Sequence, residues 1–154
     1  MVLILLSAFF LRGPLIWKLF HFQGEKIDLP LNLLTIENQK IEIHSNKAII
    51  FWASWCGPCK IELGRVSKLL EEKKLNADQI LAISIDTNRQ EMLKAVDQEK
   101  YVFPVIWDFD GTLSEIFKVE VTPSIFVLNK NQEVIWATSG ISPLLTFRLN
   151  YYLN

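Results

Sequence analysis

The chain carries short apolar runs that alternate with stretches in which apolar residues recur every three or four positions. Short runs rich in β-branched and aromatic side chains predict strands that are buried on both faces. Recurrence at helical spacing predicts amphipathic helices that bury one face against a sheet. The predicted strands span residues 47–52, 79–85, 124–128 and 133–137, the predicted helices cover 58–74, 88–100 and 143–153, a short extended piece covers 102–107, and a helical turn or two covers 111–117.

A further hairpin is predicted ahead of this pattern, over residues 27–46. Ile41 and Ile43 alternate with polar neighbours, which is the period of a half-buried strand, and Asn38-Gln39 would form the turn. Behind this hairpin the order β-α-β-α-β-β-α predicts an α/β layered fold.

The first 22 residues differ from the rest of the chain. Residues 2–11 are apolar except for Ser7, and a run of about ten residues suits a signal-peptide core better than a full span, which needs about 20. No basic stretch precedes the run, and no clear small-residue cleavage site follows it. We therefore predict a signal-anchor or transmembrane segment over 1–22, with Trp17 at a membrane interface, and a folded domain over 23–154. A buried N-terminal helix is the alternative.

Composition and charge narrow the function classes. Half of the residues are hydrophobic, so the chain is expected to fold around one core. The formal net charge is −1, whereas nucleic-acid binding requires a basic face, so we expect no nucleic-acid partner.

The chain has only two cysteines, in the segment Cys56-Gly57-Pro58-Cys59. A structural disulfide framework would need more cysteines, and a tetrahedral zinc site would need two more ligands, for which only the isolated His21 and His44 remain. Haem attachment requires His directly after the second cysteine, and Lys60 stands there. Redox chemistry is the use that remains.

The position of this pair between a predicted strand and a predicted helix suits disulfide exchange. A thiolate is the attacking species, and a helix N-terminus directs free N–H groups and a positive dipole end at its sulfur. Pro58 is tolerated in the first turn, where a missing N–H costs nothing. Two intervening residues bring Cys59 back towards Cys56, so we predict Cys56 as the exposed attacking cysteine and Cys59 as the buried resolving one.

Residues 51–60, which read Phe-Trp-Ala-Ser-Trp-Cys-Gly-Pro-Cys-Lys, resemble the active-site segment of the thioredoxin superfamily. The segment is most similar to the TlpA/ResA/ScsD-like branch of bacterial membrane-tethered proteins that face the periplasm. The resemblance covers about residues 27–154 and implies a thioredoxin-like fold, with a mixed central sheet flanked by helices. It also implies that Trp55 packs beside the disulfide, that Pro123 is cis and faces the cysteines, and that Thr122 offers its backbone to an extended substrate.

One departure from thioredoxins proper concerns a buried carboxylate. Thioredoxins keep an Asp six residues before the first cysteine, where this chain has Ile50. The TlpA and ResA branch often has a Glu three residues after the second cysteine, where this chain has Glu62. The resemblance implies that Glu62 accepts or supplies the proton of Cys59. The alternative is an ordinary surface glutamate.

The resemblance implies a protein disulfide oxidoreductase with no organic cofactor and no metal, whose reacting group is the Cys56–Cys59 disulfide. Its partners would be protein thiols and disulfides, and a membrane thiol–disulfide reductase as electron donor, on the periplasmic side of a bacterial inner membrane. The Gly-Pro dipeptide favours a reductase. Three alternatives stay open: a disulfide-introducing oxidant of the copper-tolerance type, a reductant of apocytochrome c thiols, and a non-catalytic binding module.

A competing motif lies at 108–112, which read Asp-Phe-Asp-Gly-Thr and match the DxDGT signature of haloacid dehalogenase phosphatases. A nucleophilic Asp there would need Mg²⁺ and further carboxylates, yet no Asp follows Asp110. Pro104 also disfavours a central strand ahead of the motif. We therefore reject the phosphatase interpretation.

Overall fold

The computed structural model describes residues 23–154, so the predicted anchor over 1–22 lies outside the described residues. Five strands form one mixed sheet in the order β3-β2-β1-β4-β5. The parallel pairs are β1 with β2 and β2 with β3, whereas β4 is antiparallel to both β1 and β5. The strands are β1 Lys47–Trp52, β2 Ile80–Ser84, β3 Val105–Trp107, β4 Ser124–Leu128 and β5 Val134–Ser139, and the helices are α1 Gly57–Glu71, α2 Arg89–Glu99, α3 Thr112–Ile116 and α4 Leu145–Leu153.

Strand β1 is the centre of the fold, and all six of its residues are buried. Because side chains alternate along a strand, its two faces supply two different cores. Ile50 and Trp52 pack in the cluster that includes residues of α1 and α4. Ile49 and Phe51 pack on the other face, in the cluster that includes Phe117. Burial on both faces explains why this segment reads as an unbroken apolar run.

The predicted N-terminal hairpin is wrong as a pair of strands. Residues 27–46 do reverse direction, and Asn38 adopts the left-handed conformation at the turn, but only one isolated bridge, Leu34 with Lys40, joins the two arms. The N–H groups of this segment bond elsewhere in the fold as well: Ile27 donates to the carbonyl of Gln132, and Ile36 donates to that of Val105. The segment therefore lies against β3 and the β4–β5 turn instead of forming its own ladder.

The extended piece predicted at 102–107 enters the sheet as the edge strand β3. Pro104 lies just before it, and its carbonyl accepts a hydrogen bond from the N–H of Ala82. Proline is tolerated there because an edge strand does not need every N–H group for pairing.

Within residues 23–154, no helix is both long enough and apolar enough to cross a membrane.

Candidate active site

Cys56 and Cys59 form a disulfide at the start of α1, directly after the short connection that follows β1. Cys56 is the N-cap residue of the helix, and the N–H of Cys59 donates to its sulfur at 3.2 Å. Cys56 is 5% exposed and Cys59 is fully buried. This difference favours Cys56 as the cysteine that a partner can reach. The first turn also contains Pro58, as predicted from its missing N–H.

The residues around the disulfide differ in exposure. Gly57 and Pro58, which lie between the two cysteines in the chain, are exposed. Trp55 is next to Cys56 in the chain and is 69% exposed. Its ring therefore belongs mainly to the surface beside the disulfide and contributes little to the core.

The peptide bond between Thr122 and Pro123 is cis, as the resemblance implies. Ser124, the next residue, is paired with Phe51 near the end of β1, so the proline lies at the same end of the sheet as the cysteine segment. The carbonyl of Pro123 accepts a hydrogen bond from Gly140 at 2.8 Å, and the Ser124 hydroxyl donates to the carbonyl of Val121.

Glu62 is fully buried, which excludes the surface-glutamate alternative. It lies one turn after Cys59 on α1, and residues three apart on a helix share a face. Its carboxylate accepts the N–H of Ser142 and is 3.2 Å from Nη1 of Arg65. The structure thus brings a buried carboxylate to the same side of the helix as Cys59.

Sequence reasoning missed three contributors to this region. Arg65 and Ser142 hold Glu62, and Asp86 holds the connection between β1 and α1. The spacing of three between Glu62 and Arg65 was a usable signal, because such pairs meet on a helix. Asp86 directly follows the strand predicted at 79–85, and a polar side chain at the end of a buried strand was a usable signal. No sequence pattern predicts the contact between the backbone N–H of Ser142 and Glu62.

The residues of the phosphatase-like motif have a structural role at the start of α3. The carboxylate of Asp108 accepts the N–H groups of Leu113 and Ser114 and the Ser114 hydroxyl, so it is occupied in holding the start of α3. Hydrogen bonds from Thr112 hold the pKa of the Asp110 carboxyl below its usual range. Among residues 23–154, no group of three or more His, Cys, Asp or Glu side chains is placed to hold a metal ion.

A family model described as the AhpC/TSA family matches residues 27–137. The chain belongs to the AhpC/TSA family. Among curated relatives, the thiol-disulfide oxidoreductase ResA of Oceanobacillus iheyensis is 29% identical over 135 residues, which cover 86% of this chain and 68% of that protein. The sporulation thiol-disulfide oxidoreductase A of Bacillus subtilis is 25% identical over 124 residues, covering 79% of this chain and 68% of that protein.

Solved structures confirm the thioredoxin-like fold of this AhpC/TSA family member. The crystal structure of StoA from Bacillus subtilis matches with a TM-score of 0.69 at 22% identity, covering 80% of this chain and 95% of that one. A thiol:disulfide interchange protein DsbE from Chlorobium tepidum matches with a TM-score of 0.72 at 24% identity, covering 84% and 94%. The family, the relatives and the Cys56–Cys59 disulfide agree on one activity class: the protein is a thiol–disulfide oxidoreductase.

Proposed function

We propose that this oxidoreductase reduces disulfides of extracytoplasmic proteins, with Cys56 attacking and Cys59 resolving. The observation that carries the proposal is the placement of the disulfide, with the Cys56 sulfur at the N-cap of α1 and accepting the N–H of Cys59. In the reduced protein, the same N–H and the helix dipole would stabilise a Cys56 thiolate. A stabilised thiolate is present at neutral pH and can attack a substrate disulfide. The Gly-Pro dipeptide between the cysteines supports the reducing direction.

The proposed reaction transfers two electrons in two exchanges. The Cys56 thiolate attacks one sulfur of the substrate disulfide, which forms a mixed disulfide and releases the first substrate thiolate. Cys59 then gives its proton to the Glu62 carboxylate and attacks the Cys56 sulfur, which releases the second substrate thiolate. The products are a substrate dithiol, whose sulfurs take protons from solvent or from Glu62, and the Cys56–Cys59 disulfide.

The substrate is proposed to bind as an extended segment beside Thr122. No hydrogen bond joins the backbone of Thr122 to another described residue, whereas the carbonyl of the neighbouring Pro123 is occupied by Gly140. An extended peptide could add its own backbone hydrogen bonds at Thr122, as in strand addition to a sheet edge. The exposed side chains of Trp55 and Val121 would supply apolar contacts.

The proposed setting is the periplasmic or extracytoplasmic side of a bacterial inner membrane. The resemblance of residues 51–60 to membrane-tethered thioredoxin-like proteins supports it, as does the apolar segment 1–22 as an anchor. In an oxidising compartment the Cys56–Cys59 disulfide must be reduced again after each turnover. A membrane thiol–disulfide reductase is the proposed electron donor.

The decisive experiment is the reduction potential of the Cys56–Cys59 pair in glutathione buffers, read from tryptophan fluorescence. A value near or below about −230 mV supports a reductase. A value above about −180 mV would contradict the proposed direction and favour an oxidant of the copper-tolerance type. A Cys59→Ser variant should accumulate mixed disulfides with substrate proteins, and Cys56→Ser is the matched control. If Cys59→Ser traps no partner, the proposed reduction of protein disulfides is contradicted.

A further inference from the structure

A closed ring of polar contacts links Glu62 to the loop between β5 and α4 (residues 140–144, the β5–α4 loop). Nη1 of Arg65 is 3.2 Å from Oε2 and 3.4 Å from Oε1 of Glu62. The same Nη1 donates to the carbonyl of Ser142 at 3.0 Å, and the N–H of Ser142 donates to Oε1 of Glu62. One guanidinium nitrogen thus binds both the carboxylate and the loop that caps it.

The ring supplies what a buried carboxylate needs. An ionised side chain removed from water requires an opposite charge and hydrogen-bond donors. The Glu62 side chain has no exposed surface, whereas that of Arg65 is 38% exposed, so the guanidinium reaches in from the solvent side. Within residues 23–154, Arg65 is the one cation within 4 Å of the Glu62 carboxylate, and Lys60 in the same stretch of helix pairs with Glu99 instead.

We propose that Arg65 is a positioning residue for the exchange reaction, acting through Glu62. It orients the carboxylate together with Ser142. The inference rests on the proposed role of Glu62 in the resolving step. Arg65 itself neither gains nor loses a proton, because a guanidinium stays protonated in proteins.

The expected effect of Arg65 follows from the contacts of its guanidinium. Nη1 contacts both oxygens of Glu62 and the carbonyl of Ser142. Without the guanidinium, the carboxylate keeps the N–H of Ser142, and the β5–α4 loop contributes no ionisable side chain that could replace the lost charge. Removing the guanidinium should therefore slow the resolving step by leaving the carboxylate poorly oriented.

The test uses the full chain carrying a mixed disulfide between Cys56 and glutathione, and measures its release by Cys59 across the neutral pH range. Arg65→Met keeps the length of the side chain and removes the charge. We expect it to slow release about tenfold near neutral pH, a fraction of what a positioned base contributes. Arg65→Lys should restore most of the rate, because it returns a cation to the carboxylate. Lys68→Met, one turn further along α1, should leave the rate unchanged.

Each other outcome has a definite meaning. If Arg65→Met matches the unsubstituted protein while Glu62→Gln slows release, the inference about Arg65 is wrong and the role of Glu62 stands. If neither variant changes release, the proposed proton transfer itself fails. If Arg65→Met and Arg65→Lys slow release equally, a cation at this position does not restore the orientation of Glu62, and the inference is wrong. Attack by Cys56 on substrate, measured separately, should be the same in all variants.

Discussion

The carboxylate of Asp86 accepts hydrogen bonds from both the backbone N–H and the hydroxyl of Ser54, at 2.9 and 2.7 Å. Ser54 lies two residues before Cys56, and Asp86 lies just beyond β2 with 2% of its surface exposed. The Ser84 hydroxyl donates to the same carboxylate at 2.8 Å. The connection that carries Cys56 from β1 to α1 is therefore tied to the end of the neighbouring strand. Asp86 and Glu62 are thus two buried carboxylates near the cysteine segment, and neither belongs to β1, where Ile50 lies.

Asp86→Asn should destabilise the oxidised protein. An amide can keep one acceptor but places N–H groups against the donors of Ser54 and Ser84. Hydrogen bonds to a charged group contribute about 1.5–3 kcal/mol, so we expect a loss of free energy of unfolding of that order. Urea unfolding measures it. Ser54→Ala should lose less, since Asp86 keeps the backbone N–H. An Asp86→Asn midpoint equal to that of the unsubstituted protein would contradict the role of this contact.

Asp108→Asn should destabilise the fold without touching the redox chemistry. The carboxylate holds two N–H groups and one hydroxyl at the start of α3, so its loss should lower the free energy of unfolding by about 1–3 kcal/mol. The rate of exchange by Cys56 should be unchanged at temperatures where the variant is folded. If the unsubstituted protein released phosphate from a phosphomonoester in Mg²⁺, and Asp108→Asn abolished that release, the phosphatase interpretation would be supported instead.

Strands buried on both faces were the most predictable elements. The boundaries of β1 and β4 agree with the sequence prediction at both ends. A short, nearly unbroken apolar run lacks the polar positions that an amphipathic helix places on its exposed face, so it is assigned to a strand. The hairpin prediction over 27–46 failed for the opposite reason. Alternation of apolar and polar residues at Ile41 and Ile43 indicates a half-buried segment. It does not indicate which neighbouring segment forms backbone hydrogen bonds with it.

The two cysteines and the cis proline were predictable because a short local motif carries them. The contacts that position Glu62 and Ser54 were not. Ser142 is 80 residues from Glu62, and Asp86 is 32 residues from Ser54. A single polar contact over such a distance follows no period in the sequence, and one of its partners is a backbone group that any residue could supply.

Lys47→Met should raise stability near neutral pH, with a gain that shrinks at alkaline pH. Burial lowers the pKa of the Lys47 amine, and the charge of Asp78 opposes this only in part. Between the folded and the unfolded pKa, the unfolded chain binds a proton that the folded chain has released, so the stability of the unsubstituted protein rises with pH there. Unfolding free energies measured from neutral pH to about pH 10 should converge for the two proteins. A gap that stays constant with pH would show that packing, not charge, is responsible.

Tyr101→Phe should be neutral or stabilising, although the ring is packed. The ring contacts Trp52 and Phe103 at centroid distances of 5.6 and 5.0 Å, and phenylalanine keeps both contacts. The hydroxyl is buried and has no hydrogen-bond partner among the described residues, so its removal should gain up to about 1 kcal/mol.

Burial and the charge of Glu99 raise the pKa of the Tyr101 hydroxyl. The unfolded chain therefore loses this proton before the folded one does, and stability should fall as pH rises above about 10. Tyr101→Phe should remove that part of the decline, whereas Tyr151→Phe, at a position that is 67% exposed, should not. Thermal unfolding of the three proteins at neutral and alkaline pH decides between these outcomes. An alkaline decline of equal size in all three would mean that Tyr101 stays protonated to the same extent in the folded and unfolded chains.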